Sequence, residues 1–502
     1  MNTKYSLFLL LGVCSAGWLS SCSKRFLQLP PNGVVYESSY YQTPTQALAA
    51  LTAAYNPLAW EMGGSDNTYI DKLGALNSAA DECYAGGGGP TDVDTWQAIN
   101  SYTMTGALGP QAGLWDRNYT GIANANLLLQ HVDSVPGLDT ATAARYTAEA
   151  KFLRAYYYFD LVREFGNIPL ITVPLTPAQI YAQAQAKPDS VYAQIEMDLA
   201  AAIPELPATV VPAENGRVTK GAANALMGKV ILTENNTSRM LEAANYLEAV
   251  NSSGVYSLLP DFAAIFNPSN KFNAESIFEI YHTAASIAQW STPDPSVLGN
   301  VYAQMTGPRS YSGPVYWSGG WGFNPVITAF ANFMKSDPRY AATILNVDSL
   351  SHAGSSSYLP GFDNTGYFML KFAALATDVA RVGQTELNFP NDYIEIRLAD
   401  TYLMEAEALV RGGGDQSRAQ SYLDRVRARV GLPSVPATLG NIYNERRLEL
   451  ATEGHRWFDL VRTGQAGTVL AFKGFQTGIN EVLPIPLVEL NNTELKQNPG
   501  YQ

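Results

Sequence analysis

Apolar and polar positions follow different rhythms in different parts of the chain. In YTAEAKFLRAYYYFDLVREFG (146–166) helix formers dominate, apolar residues fall on nearly every side of the helical repeat, and Gly166 supplies a stop. That pattern predicts a helix buried on more than one side. TKGAANALMGKVILTENNTSRMLEAANYLEAVNSSG (219–254) and IRLADTYLMEAEALVRGGGDQSRAQSYLDRVRARVG (396–431) read as helix pairs broken at ENNTS and GGGD, with Asp415 as a predicted N-cap. Each pair spans about 35 residues with Ala at close-contact positions, near the ~34 of a tetratricopeptide unit.

From 255 to 395 the helical period fades and Gly, Pro, Ser and Tyr accumulate, as in STPDPSVLGN, GPRSYSGPVYWSGGWGFNP and SHAGSSSYLPGFDNTG. Such stretches predict long loops with a few short strands, and long loops in a compact protein usually carry function. The expected fold is mostly α: an N-terminal helical region over 22–235, a loop-rich region over 236–395 and a C-terminal helical region over 396–502.

Composition narrows the function. A chain of 502 residues with 46% hydrophobic and 15% charged content can bury a large core and is not a disordered chain. Its net charge of -13, with no basic run, argues against nucleic acid and against an anionic membrane surface, since both need clustered Lys and Arg.

Residues 1–21 read as a lipoprotein signal peptide: Lys4 gives a positive start, SLFLLLGV begins an apolar stretch too short to span a bilayer, and LSSC (19–22) resembles a bacterial lipobox. A multiply acylated Cys22 would hold the protein on a membrane, because acyl chains gain about 0.8 kcal/mol per buried CH₂. Cys14 leaves with the signal and Cys22 carries lipid, so Cys83 stands alone as a small buried hydrophobe with no disulfide partner in the chain.

The densest catalytic-looking stretch is ATEGHRWFDLVRTG (451–464). A helix bearing Glu445, Arg446, Arg447, Glu449, Glu453, Arg456, Asp459 and Arg462 would place carboxylates and guanidinium groups three and four positions apart, as a structural ion-pair network does. Other catalytic patterns are weaker. His131, His282, His352 and His455 have no metal-ligand spacing, GGGG at 86–89 lacks the Lys-Ser/Thr of a phosphate loop and reads as a flexible turn, and no GxSxG occurs. Asp81 and Glu82 are adjacent and so do not face one another as a glycosidase pair would. No catalytic residue, cofactor or metal ligand is therefore assigned.

FLQLPPNG, ALAALTAAYNPL, AEAKFLRAYYYFDLVREFGNIPLI, GRVTKGAANALMGKVIL, SGVYSLLPDFAAIFN with ESIFEI, IRLADTYLMEAEAL, ERRLELATEGHRWFDLVRTG and VLPIPLVELNNTELKQNPGY follow one another behind the lipobox. In that order they resemble the SusD/RagB family of outer-membrane nutrient-binding lipoproteins, with the RagB/SusD region starting at about residue 270. The resemblance implies a right-handed scaffold of tetratricopeptide-like helix pairs carrying a loop-rich binding face. It implies an outer-membrane, lipid-anchored protein facing the cell exterior, which captures glycan and delivers it to a SusC-like TonB-dependent β-barrel transporter. It also assigns ATEGHRWFDLVRTG to the scaffold.

A non-catalytic sugar site needs exposed aromatic platforms and a few amide or carboxylate partners. GPVYWSGGWGFNP offers Tyr316, Trp317, Trp321 and Phe323, with Tyr311 upstream; PTDVDTWQAINSY adds Trp96, Asn100 and Tyr102; HTAASIAQW adds Trp290. The expected ligand contacts are Trp96, Asn100, Trp290, Tyr316 and Trp317, with Trp321 expected in the framework and Trp115 in a helix core. Two other readings stay open: the same scaffold binding peptides, and a lipid-anchored glycoside hydrolase.

Overall fold

The computed structural model describes residues 40–62, 72–285, 289–290, 298–317, 319–376 and 383–501. The expected signal peptide, Cys22 and the FLQLPPNG stretch lie outside the described residues.

The helices that build the scaffold are α1 (Pro44–Tyr55), α2 (Lys72–Ala79), α3 (Asp94–Asn100), α4 (Gln111–His131), α5 (Thr140–Phe165), α6 (Pro188–Ala202), α7 (Lys220–Glu234), α8 (Met240–Asn251), α9 (Leu398–Gly412), α10 (Gln416–Arg429), α11 (Leu439–Glu449) and α12 (Arg456–Arg462). They pack serially, α4 on α5, α5 on α6, α6 on α7, α7 on α8, α8 on α9 and α9 on α10, which is the tetratricopeptide-like stacking expected from the helix pairs. Capping matches the sequence: Asp415 accepts from Ser417 N at 2.9 Å and Arg418 N at 3.0 Å, and Gly166 ends α5 with φ of 70°. Helix α9 starts at Leu398, two residues later than the pattern suggested, because Ile396 and Arg397 end a strand.

Helix α5 is buried all round, as its apolar distribution predicts, with Tyr156, Tyr157, Tyr158 and Phe159 at 1% exposure or less. It also carries a buried charge. Asp160 accepts from Lys72 Nζ at 2.7 Å, from Arg117 Nη2 at 2.5 Å and from Arg163, which satisfies an anion that would otherwise be costly inside the protein. No helix among the described residues is long and apolar enough to cross a membrane.

The loop-rich region contains short antiparallel ladders. Strand β1 (Ser276–Ile280) pairs with β6 (Tyr393–Arg397), β2 (Arg309–Ser312) with β4 (Ser357–Leu359), and β3 (Ile344–Asn346) with β5 (Tyr367–Met369). The β1–β6 ladder joins the region to the scaffold, since β6 runs directly into α9.

Charged residues 445–462 do not lie on one helix. Helices α11 and α12 are separated by a turn in which Thr452 and Gly454 adopt φ of 65° and 80°. Most ion pairs there are consequently tertiary: Glu453 holds Arg397 at 2.8 Å and Lys371 at 2.6 Å, Arg456 holds Asp81 at 2.8 Å, and Arg462 holds Glu407 at 2.5 Å. Asp459 with Arg462 keeps the three-residue spacing.

Candidate functional site

Loops from three parts of the chain meet at Trp321 and Gly322. The first is Gly86–Gly89, which is not a free turn: Gly87 N donates to Gly322 O at 2.8 Å, and Gly87 O accepts from Phe362 N at 2.8 Å. Gly86 has φ of 74°, and a Cβ there would come 2.4 Å from the Gly322 carbonyl oxygen, so the close approach requires glycine. Gly88 N then donates to Asp92 Oδ2 at 2.6 Å, and that carboxylate stands 3.9 Å from the Arg309 guanidinium. The second loop is 319–323, where Trp321 N donates to Gln304 O at 3.1 Å and Trp321 O accepts from Arg309 Nη1 at 3.3 Å. Asp92, Val93, Arg309, Ser310, Gly320, Trp321 and Phe323 line a cavity of about 250 Å³.

The third part supplies a second indole. Trp290 lies with its ring centroid 5.9 Å from that of Trp321, the planes inclined at 33°. Its Nε1 donates to Glu386 Oε1 at 3.0 Å and its backbone N to Gln384 Oε1 at 2.6 Å. Both indoles are partly exposed. The result is an aromatic surface bordered by the carboxylate of Glu386 on one side and by Arg309 and Asp92 on the other. It can stack on the C–H face of a sugar while offering donors and acceptors to its hydroxyls.

Of the expected ligand contacts, Trp290 is partly exposed, and Trp317 is exposed, its ring edge-on to buried Phe389 with centroids 6.0 Å apart. Three other expectations are corrected. Trp96 is 1% exposed: it sits on the inner face of α3, edge-on to Phe323 and Tyr302, in space left by Gly74 on α2, where a Cβ would fall 2.0 Å from the indole. Tyr316 is 2% exposed and donates its hydroxyl to Met369 O at 3.0 Å. Both rings fill the core and present no face to a ligand. Asn100 turns inward as a brace, its Oδ1 accepting from Ala85 N at 3.2 Å and from Lys473 Nζ at 2.9 Å. Trp115 is buried on α4, as expected.

Trp321, expected in the framework, packs against the core and also borders the cavity, while Asp92 and Glu386 were not among the expected contacts. The legible signal was the glycine quartet, which marks a loop packed closely against another backbone, with an Asp three residues beyond it.

Most charged groups of the clasp are tied up in ion pairs. Burial, and then the Lys229 ammonium, push His455 down to about 4, leaving it neutral at ordinary pH. Burial opposes the charge of Glu453, yet Arg397 and Lys371 override it and hold the carboxyl below its usual range. Glu82 is the exception: burial and the neighbouring Asp81 charge push it up to about 7 while Thr452 N donates to it at 2.8 Å.

Residues 329–501 match the model of the SusD family, and residues 62–232 match a model described as starch-binding, associating with outer membrane. A laminarin-binding SusD-like protein of known structure is 44% identical, superposes with a TM-score of 0.87, and is covered over 100% of its chain by 92% of this one. Surface glycan-binding protein A from Bacteroides thetaiotaomicron, solved in complex with laminarihexaose, is 28% identical with a TM-score of 0.83, over 91% of this chain and 100% of that one. SusD-like protein P25 of Formosa agariphila is 27% identical over 94% of each chain. With a neighbour this similar along its whole length, and with both halves of the fold matched, the chain belongs to the SusD family.

Proposed function

We propose that the protein is a surface glycan-binding lipoprotein, anchored through Cys22, which holds a laminarin-type β-1,3-glucan on the Trp321–Trp290 surface and delivers it to a TonB-dependent β-barrel transporter. The observation that carries the reading is the inclined, partly exposed indole pair bordered by Glu386, Arg309 and Asp92: aromatic faces with polar flanks suit a neutral polysaccharide. The name of the 44% identical neighbour and the laminarihexaose complex of a second relative support the ligand class.

The partners of the charged groups in the clasp support a reading of binding without turnover. In the clasp, the carboxylates of Glu453 and Asp459 are paired with guanidinium or ammonium groups, which keeps these two ionised and unsuited to donate a proton to a glycosidic oxygen. Calorimetry with laminari-oligosaccharides and malto-oligosaccharides of equal length, followed by chromatography of the same samples, tests the reading. Heat with the laminari series alone and unchanged oligosaccharide are expected; shortened products would instead favour the hydrolase, and heat only with peptides would favour the peptide binder.

A further inference from the structure

A second, larger feature lies away from the indole pair. Helix α4 forms the floor of a groove of about 540 Å³, from Trp115 to Leu127, walled by residues 169–183 on one side and by 488–495 on the other. Val173 is 57% exposed, Ile180 51%, Tyr181 56% and Val488 67%, so four large apolar side chains along one groove stand more than half in water. A largely apolar groove of this kind, with Asn126, Gln183 and Thr493 among its lining, signals an occupant. Asp116 and Glu489 add negative charge, and burial, followed by the charge of Asp116, raises the Glu489 carboxyl above its usual range. An occupant bringing a cation would relieve that cost.

The described chain begins beside this groove. The Tyr41 ring stacks on His131 with centroids 4.4 Å apart, and His131 is the last residue of α4, one turn beyond Leu127. From His131 back to Trp115 the helix runs about 24 Å at 1.5 Å per residue. The chain from Tyr40 back to Phe26 can span more than 40 Å at about 3.3 Å per residue, enough to follow α4 along its groove. Upstream of Tyr40 the sequence reads SKRFLQLPP: Lys24 and Arg25, then Phe26, Leu27 and Leu29, then Pro30 and Pro31. Apolar side chains match the walls, the basic pair matches Asp116 and Glu489, and a proline pair is held extended at little entropic cost.

We propose that the groove is the seat of the chain's own segment Phe26–Pro31. The closing motif VLPIPLVELNNTELKQNPGY supplies Val488, Glu489 and Leu495 to one wall and NIPLI supplies Pro169 and Ile171 to the other, so sequence motifs from three distant places meet at one surface. The consequence rests on the lipid-anchor reading: with Phe26 seated, only Ser23–Arg25 separates the body from Cys22, and the groove fixes how the indole surface is presented above the membrane.

The test uses the full-length lipoprotein in mild detergent, carrying Leu29→Cys with Val488→Cys, oxidised and digested for mass spectrometry; Leu29→Cys with Leu359→Cys is the control. An intramolecular 29–488 disulfide, several-fold more abundant than the control product, is expected. Bonds formed only between two molecules, or at the control level, overturn the proposal, and so does a groove filled by a copurifying protein. Hydrogen exchange gives a second measure: Leu27→Asp with Leu29→Asp should raise uptake in 169–181 and 487–495 several-fold while laminari-oligosaccharide affinity stays unchanged. Unchanged uptake also overturns it. Lost affinity in wild type, with the disulfide still forming, would count against the glycan reading alone.

Discussion

Arg456 reaches Asp81 across the fold, with Nε 2.8 Å from Oδ1, and ties α12 to the turn that leads into the glycine loop. Arg447 holds the other oxygen of the same carboxylate at 2.6 Å. The stretch that most resembles an active site in sequence is thus a fastening between distant segments.

Removing one side of that fastening should be costly. Arg456→Ala leaves Asp81 with one partner and Glu82 beside it, and a broken, largely buried pair costs about 3–5 kcal/mol. Chemical denaturation should register that loss, while oligosaccharide affinity in the still-folded fraction remains near wild type.

Glu82 makes stability depend on pH. Its folded value of about 7 lies above the ordinary 4.5, so the protein gains stability from a protonated Glu82 fully below pH 4.5 and loses it as pH rises through 7. Glu82→Gln keeps the acceptor for Thr452 N and should remove this dependence. The stability of the variant relative to wild type is therefore expected to rise between pH 4.5 and 7; a constant difference over that range contradicts the assignment.

Trp96 and Trp317 should separate cleanly. Trp96→Ala empties a buried site and is expected to cost about 3–5 kcal/mol of stability. Trp317→Ala, at an exposed indole, should cost far less, as thermal denaturation of the two variants will report.

The scaffold was legible because helices announce themselves locally. Periodicity, Asp415 and Gly166 fixed α5, α9 and α10 to within a few residues, and family motifs fixed their order. The site was harder to read because exposure of a loop aromatic depends on what packs over it from elsewhere. Trp96 and Trp321 both stand in or beside Gly-containing loops in sequence, yet Gly74 opens a core slot for one while Trp290 meets the other at the surface. The clasp was misread as one helix because side chains at helical spacing were also available across the fold.

The glycine loop should matter to binding as well as to folding. Gly86→Ala places a Cβ against the Gly322 carbonyl at a φ of 74° and should displace Asp92 from Arg309. About a tenfold loss of oligosaccharide affinity is expected by calorimetry, together with a lower melting temperature from the strained backbone.

The most direct measurement is calorimetric titration of laminarihexaose into wild type, Trp321→Ala, Trp290→Ala and the double variant. Each indole face contributes about 1–1.5 kcal/mol, so each single variant should bind roughly tenfold more weakly and the double variant below detection, with circular dichroism unchanged. Because a neutral glucan brings no charge, the affinities should be nearly independent of salt. Wild-type affinity in the folded double variant would contradict the placement of the glycan on the Trp321–Trp290 surface.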